Sequence, residues 1–101
     1  AIEGENSVTR IKLRQVKTGE ESSLDIAGVF ISVGLKPNTD YLKGVLPLDK
    51  GGYVITNDKM ETKIPGIFAA GDIRRNSARQ AITAAGDGAT AAFYAEKFIT
   101  Q

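Results

Sequence analysis

Two short stretches of this chain place polar groups where chemistry is possible. Gly71-Asp72 closes the apolar run Ile67-Phe68-Ala69-Ala70, and Arg79-Gln80-Ala81 follows across a basic loop. A carboxylate at a strand's carboxyl end stands where open α/β sheets bind ligands, and it accepts hydrogen bonds from polyol or sugar hydroxyls. Taken alone, the pattern favours a plainer role for Asp72, capping the next turn. The helix start at Arg79-Gln80-Ala81 offers free N–H groups and about half a positive charge, which suits an anion or a ring that becomes anionic on reduction. Taken alone, that pattern favours a normally capped surface helix behind a basic loop.

Other groups carry less. The segment AAGDGATAA is Gly-rich but lacks the G-x-G-x-x-G spacing and no strand precedes it directly, so its glycines read as packing residues. Arg74 and Arg75, like Arg79, could face phosphate, yet loop arginines are ordinarily solvated. Glu20-Glu21 lies in a turn and has no acid–base assignment. The chain holds no cysteine and no histidine, which removes thiol redox chemistry, His-based triads and the ligands that transition-metal sites ordinarily use. No residue is assigned a catalytic role, and none a metal.

The elements that must position these groups follow from periodicity. Val8–Val16 alternates apolar Ile11 and Leu13 with Arg10, Lys12 and Arg14, the pattern of a half-exposed antiparallel strand. Lys17-Thr18-Gly19-Glu20 is a turn, and a returning strand runs through Leu24 and Ile26 into Val29–Val33, which is apolar on both faces and should be deeply buried. Gly34-Leu35-Lys36-Pro37-Asn38-Thr39 is rich in breakers, and Asn38-Thr39-Asp40 can cap a short helical turn over Tyr41-Leu42. Tyr53–Ile55 and Ile67–Ala70 read as short strands, with Asn57–Lys63 a polar loop between them. The last element is a helix over roughly 78–99, with Ser77 and Gln80 as its capping box. Its apolar residues form one row at Ile82, Ala85, Ala89 and Phe93 and a second at Ala81, Ala84, Ala91, Ala95 and Phe98. Gly86 and Gly88 each weaken it by roughly 1 kcal/mol, which calls for a closely approaching backbone or ligand.

Composition bounds the class. The 101 residues are 42% hydrophobic and 25% charged, a globular balance, and the net charge of +1 gives no electrostatic footprint for nucleic acid or an anionic membrane. No apolar run approaches the roughly 20 residues of a membrane span. A polar N-terminus shows no signal peptide, so a cytoplasmic origin is expected. The chain opens at Ala1-Ile2 as though at the end of a strand, without an initiator Met, and is expected to be a fragment or a cleaved product.

Together the stretches resemble a known family. Thr62-Lys63-Ile64-Pro65-Gly66-Ile67-Phe68-Ala69-Ala70-Gly71-Asp72 resembles the second FAD signature of two-dinucleotide-domain flavoprotein reductases. Arg79-Gln80-Ala81, the connector Gly34–Thr39 and the terminal AAGDGATAAFYAEKFI are similar to the thioredoxin reductase branch, and the resemblance covers essentially the whole chain. It implies an α/β fold, α+β as an isolated piece, within a Rossmann-like FAD/NAD(P)-binding fold: a hairpin and strands plus one long C-terminal helix. Residues 1–35 would be the tail of the NADPH-binding domain and 36–101 the return into the FAD-binding domain. By the same resemblance Asp72, next to Gly71, meets the flavin ribitol. Gln80 and Ala81 face the pyrimidine side of the ring through backbone N–H groups, and Arg79 lies near the flavin and the NADPH side. The parent would use FAD and NADPH and reduce thioredoxin.

The departures from the family also carry expectations. Both phosphate-binding Gly loops and the C-x-x-C pair are absent here, so the chain alone is expected to be inactive and to bind FAD weakly or not at all. Unpaired strand edges are expected to be covered by self-association into a homo-oligomer such as a dimer. A ferredoxin–NADP reductase-like or peroxide-system flavoprotein, or an inert packing fragment without cofactor, are the alternatives.

Overall fold

Alternating charge and aliphatic residues at Arg10–Arg14 do build a strand, and it forms the centre of a three-stranded antiparallel sheet. In the computed structural model, which describes residues 1–101, β1 (Ile2–Glu3), β2 (Arg10–Arg14) and β3 (Glu21–Asp25) lie in the order β1-β2-β3. Ile2 pairs with Ile11, Glu3 with Arg10, and Ile11 with Leu24. Glu3 therefore faces Arg10 directly, with a 2.8 Å ion pair, and reaches Lys12 at 3.4 Å. Gly19, at φ 73°, turns β2 into β3, and the Gln15 N–H closes the turn onto Glu20 O at 2.8 Å.

The chain divides into two compact units, Ala1–Gly34 and Leu35–Gln101. In the first, the second half of the returning strand departs from expectation. Val29–Val33 is not a strand, and Phe30, Ile31 and Val33 are exposed. A strand persists only where its N–H and C=O groups meet a partner, and no segment of this chain pairs with this one.

The second unit is mostly irregular backbone around a small core of Leu46, Val54 and Met60. The expected turn at Tyr41-Leu42 is present as a single 3-10 turn, Asp40–Leu42. Thr39 does not cap it. Its side chain is buried and donates its hydroxyl to Gly52 O instead. Asp49 Oδ1 accepts from the N–H groups of Gly51 and Tyr53, both at 2.9 Å, and shapes the turn into Val54.

The short strands expected at 53–55 and 67–70 reduce to isolated bridges. Val54 pairs with Leu48 and Arg74, and Phe68 pairs with Glu61. Asn57–Lys63 is irregular but not wholly solvated, since Met60 is buried at its centre.

One long helix, α1 (Ala81–Ile99), closes the chain. It starts later than the periodicity suggested, because Arg79 takes a left-handed conformation (φ 54°) and breaks the helical path. The expected Ser77–Gln80 box is therefore replaced. Gln80 is itself the N-cap, and the Thr83 hydroxyl accepts from the Gln80 N–H (3.3 Å) and donates to Gln80 O (2.9 Å). Ser77 Oγ accepts from the Arg79 N–H at 3.0 Å.

Only one of the two apolar rows packs. Ala84, Ala91, Tyr94 and Ala95 are half-buried, whereas Ile82, Ala85, Ala89 and Phe93 are exposed. Phe98 meets Phe68 edge to face with ring centroids 6.5 Å apart. It also covers Gly66, where φ is 86° and a Cβ would lie 3.1 Å from the Phe98 ring, close enough to push the ring aside. No close neighbour faces Gly86 or Gly88: both look onto open space, so this chain does not offset their helical cost. No helix is long and apolar enough to cross a membrane.

Candidate functional site

Gly71 opens a 3-10 turn, Gly71–Ile73, that presents Asp72. A left-handed φ of 84° makes glycine the fitting residue there, and a Cβ in its place would reach van der Waals contact with Ala84 of α1. Three backbone bonds hold the turn. The Arg74 N–H donates to Gly71 O (3.0 Å), the Val54 N–H to Ile73 O (2.9 Å) and the Arg75 N–H to Val54 O (2.8 Å).

A side-chain cluster locks the same turn to the helix. Asp87 Oδ2 accepts from the Gly71 N–H at 3.0 Å and from Arg74 Nε at 2.8 Å, and Arg74 donates a second bond to Asp87 Oδ1 at 3.1 Å. The remaining side of the guanidinium donates to Thr56 Oγ1 at 2.9 Å. Arg74 is thus not the solvated loop charge that its sequence context suggested: the two side chains of the pair are only 16% and 14% exposed. The Arg74 hydrogen bond holds the Asp87 carboxyl below the usual carboxylate range. Burial opposes that shift, and the Gly71 N–H and the Arg74 charge add to it.

Asp72 projects from this fixed turn. It is exposed, and it pairs with none of the chain's basic side chains. It lines a cavity of about 310 Å3 together with Ile73, Tyr53 and Arg79, and the connector contributes Leu35, Lys36, Pro37 and Asn38. The Arg79 guanidinium lies over the Tyr53 ring, 4.2 Å from its centroid, a cation–π contact. Arg79 Nε is buried and has no hydrogen-bond partner, an unsatisfied donor in a residue that lines the cavity. A wider groove of about 580 Å3 on the hairpin, among Leu13, Arg14 and Ser22, collects no comparable set.

Of the residues singled out in the sequence, the structure brings Asp72 and Arg79 to one cavity, with Gly71 buried beneath Asp72. Gln80 and Ala81 adjoin it in sequence without lining it, and the Gln80 N–H already has Thr83 Oγ1 as an acceptor. Sequence reasoning missed Tyr53, Lys36 and Asn38 as wall residues, and it missed the Arg74–Asp87–Thr56 cluster. The last had a readable signal. Asp87 falls in the half-buried row with Ala84 and Ala91, and a carboxylate there requires a partner.

The site can bind and orient. It offers a free carboxylate for hydroxyl groups and cationic groups beside it. No three His, Cys, Asp or Glu side chains are grouped to hold a metal, and no thiol exists in the chain.

The family model described as pyridine nucleotide-disulphide oxidoreductase matches residues 1–88. Thioredoxin reductase of Chlamydia pneumoniae is 44% identical over 99 residues, which is 97% of this chain and 32% of that protein. Thioredoxin reductase of Mycolicibacterium smegmatis is 44% identical over 101 residues, again 32% of its own length. The crystal structure of thioredoxin reductase from Streptococcus pyogenes superposes with a TM-score of 0.80 at 41% identity, covering 98% of this chain and 33% of that one. The chain spans about a third of the relatives it matches. With the sequence matched from its first residue and the fold matched to its last helix, the chain belongs to the pyridine nucleotide-disulphide oxidoreductase family and is similar throughout to thioredoxin reductases.

Proposed function

We propose that this chain is the C-terminal part of an NADPH- and FAD-dependent thioredoxin-disulphide reductase, and that residues 36–101 form the wall of its FAD site beside the ribitol and the ring. Residues 1–35 are then the tail of the NADPH-binding domain. The observation that carries the reading is Asp72: a carboxylate presented by a doubly anchored turn, free of any protein cation, on a cavity wall that also holds Arg79.

The residues present fit that group. The Asp72 oxygens accept hydrogen bonds from ribitol hydroxyls. Arg79 is held on Tyr53 at the cavity wall, and its unpartnered Nε would donate to a ring or phosphate oxygen once a small side-chain movement uncovers it. The N-terminus of α1, from Ala81, brings positive potential toward the pyrimidine side, worth roughly 0.3–2 kcal/mol to an anionic ring. The Gln80 N–H can join only by sharing or releasing Thr83 Oγ1. When bound, FAD supplies two-electron transfer between NADPH and a cysteine pair, and that pair lies outside these residues. Thioredoxin is the partner of such an enzyme, and the proposed setting is cytoplasmic and homo-oligomeric.

The test is FAD retention in the full reductase that carries this segment. Asp72→Ala should weaken FAD binding by about tenfold, the scale of one lost hydrogen bond to a charged group. Unchanged retention would overturn the ribitol role. The isolated chain, titrated with FAD, should show little binding, and a stoichiometric flavin absorption band would refute the view that its wall is only part of a site.

A further inference from the structure

We infer that Asp87, through Arg74, is the positioning residue for Asp72: one helix-borne carboxylate sets where the ligand-facing carboxylate points. The inference rests on the ribitol reading of Asp72 given above. Asp87 lies in the body of α1 and lines no part of the cavity. Yet it reaches both ends of the turn that carries Asp72. Its Oδ2 accepts from the Gly71 N–H immediately before Asp72, and both of its oxygens hold the Arg74 guanidinium two residues after it. Arg74 is anchored in turn to Thr56 beyond the Val54 bridge.

The backbone bonds tie this turn to itself and to Val54 only, and the Asp87 carboxylate adds the side-chain bonds that tie it to α1. Because Asp87 belongs to α1, the same bonds tie the Asp72 turn to the helix that begins just after Arg79, the other cavity-lining residue singled out in the sequence. Around metal ligands, supporting bonds of this kind are worth about 10–100-fold in affinity or activity, which sets the scale expected here.

The experiment is a double-mutant cycle on FAD affinity in the full reductase, with Asp72→Asn, Asp87→Asn and the pair. Asp87→Asn should raise the FAD dissociation constant about tenfold. In the Asp72→Asn background the same change should cost less than about twofold, because its route through Asp72 is gone. Additive losses mean that Asp87 serves only the fold and overturn the inference, as does an unchanged affinity in Asp87→Asn. Unchanged affinity in Asp72→Asn instead overturns the ribitol reading and the inference with it, so the two failures are distinct. Where Asp87→Asn does not fold, Thr56→Val keeps the Asp87 bonds to Gly71 and Arg74. It should weaken FAD binding about threefold, again only when Asp72 is present. An additive loss there overturns the inference equally.

Discussion

The hairpin of residues 1–34 and the unit of residues 35–101 are held by opposite means. In the hairpin the backbone ladder is regular, and almost every side chain on it is exposed. Its ion pairs, Arg10–Glu3 and Lys12–Glu3, have side chains 29–58% exposed, a setting where such pairs contribute little. Residues 35–80 have hardly any ladder, only isolated bridges. What fixes them is tertiary: buried Val54, the Thr39–Gly52 bond, and a bidentate Arg74–Asp87 bridge at 16% and 14% exposure. A regular ladder needs only alternation between neighbouring segments. Irregular backbone that presents an exposed carboxylate such as Asp72 needs side chains from distant positions to hold it, and the candidate site lies in that second kind of structure.

The largest expected break in this contrast comes from Asp87→Ala. It strands the Arg74 guanidinium and the Gly71 N–H, and urea unfolding should show a loss of about 3 kcal/mol. A loss below about 1 kcal/mol would put the bridge on a par with the exposed pairs. Val54→Ala comes next. It empties part of the small core and should cost about 2 kcal/mol by the same measurement. Acid tests the bridge by another route. The folded Asp87 carboxyl lies below its ordinary 3.8, so its contribution is complete above that pH and is lost as pH falls through the folded value. A wild-type stability that declines below pH 3.8 more steeply than that of Asp87→Asn is the expected result. Gly66→Ala, forced into a left-handed conformation against Phe98, should cost about 1–2 kcal/mol. Smallest of all, Arg10→Ala should cost less than about 1 kcal/mol, and that cost should shrink further in 1 M salt. A loss equal to that of Asp87→Ala would erase the distinction between the two regions.

Much of the architecture was legible. The alternation at Arg10–Arg14, the Gly19 turn, the break near Gly34 and the long C-terminal helix each follow from local pattern. So does the pairing of Gly71 with Asp72 at the end of an apolar run. Boundaries and partners were less legible. Ser77 and Gln80 fit a capping box on spacing, but spacing cannot register the left-handed turn at Arg79. Ile82, Ala85, Ala89 and Phe93 make as good an apolar row as the one that packs, and hydrophobicity alone does not say which row finds a neighbour.

The sequence by itself determined which side chains are available for chemistry and which local forms are possible: no thiol, no histidine, a Gly-Asp pair at the end of an apolar run, and a C-terminal helix with two apolar rows. Tertiary structure alone decided that Arg74 is a bridge and not a solvated charge, that Arg79 stacks on Tyr53, and that Val29–Val33 stands without a strand partner. The reason is physical. Propensity and periodicity act within a few residues, whereas desolvation of a charge and pairing of a strand depend on what arrives from elsewhere in the chain.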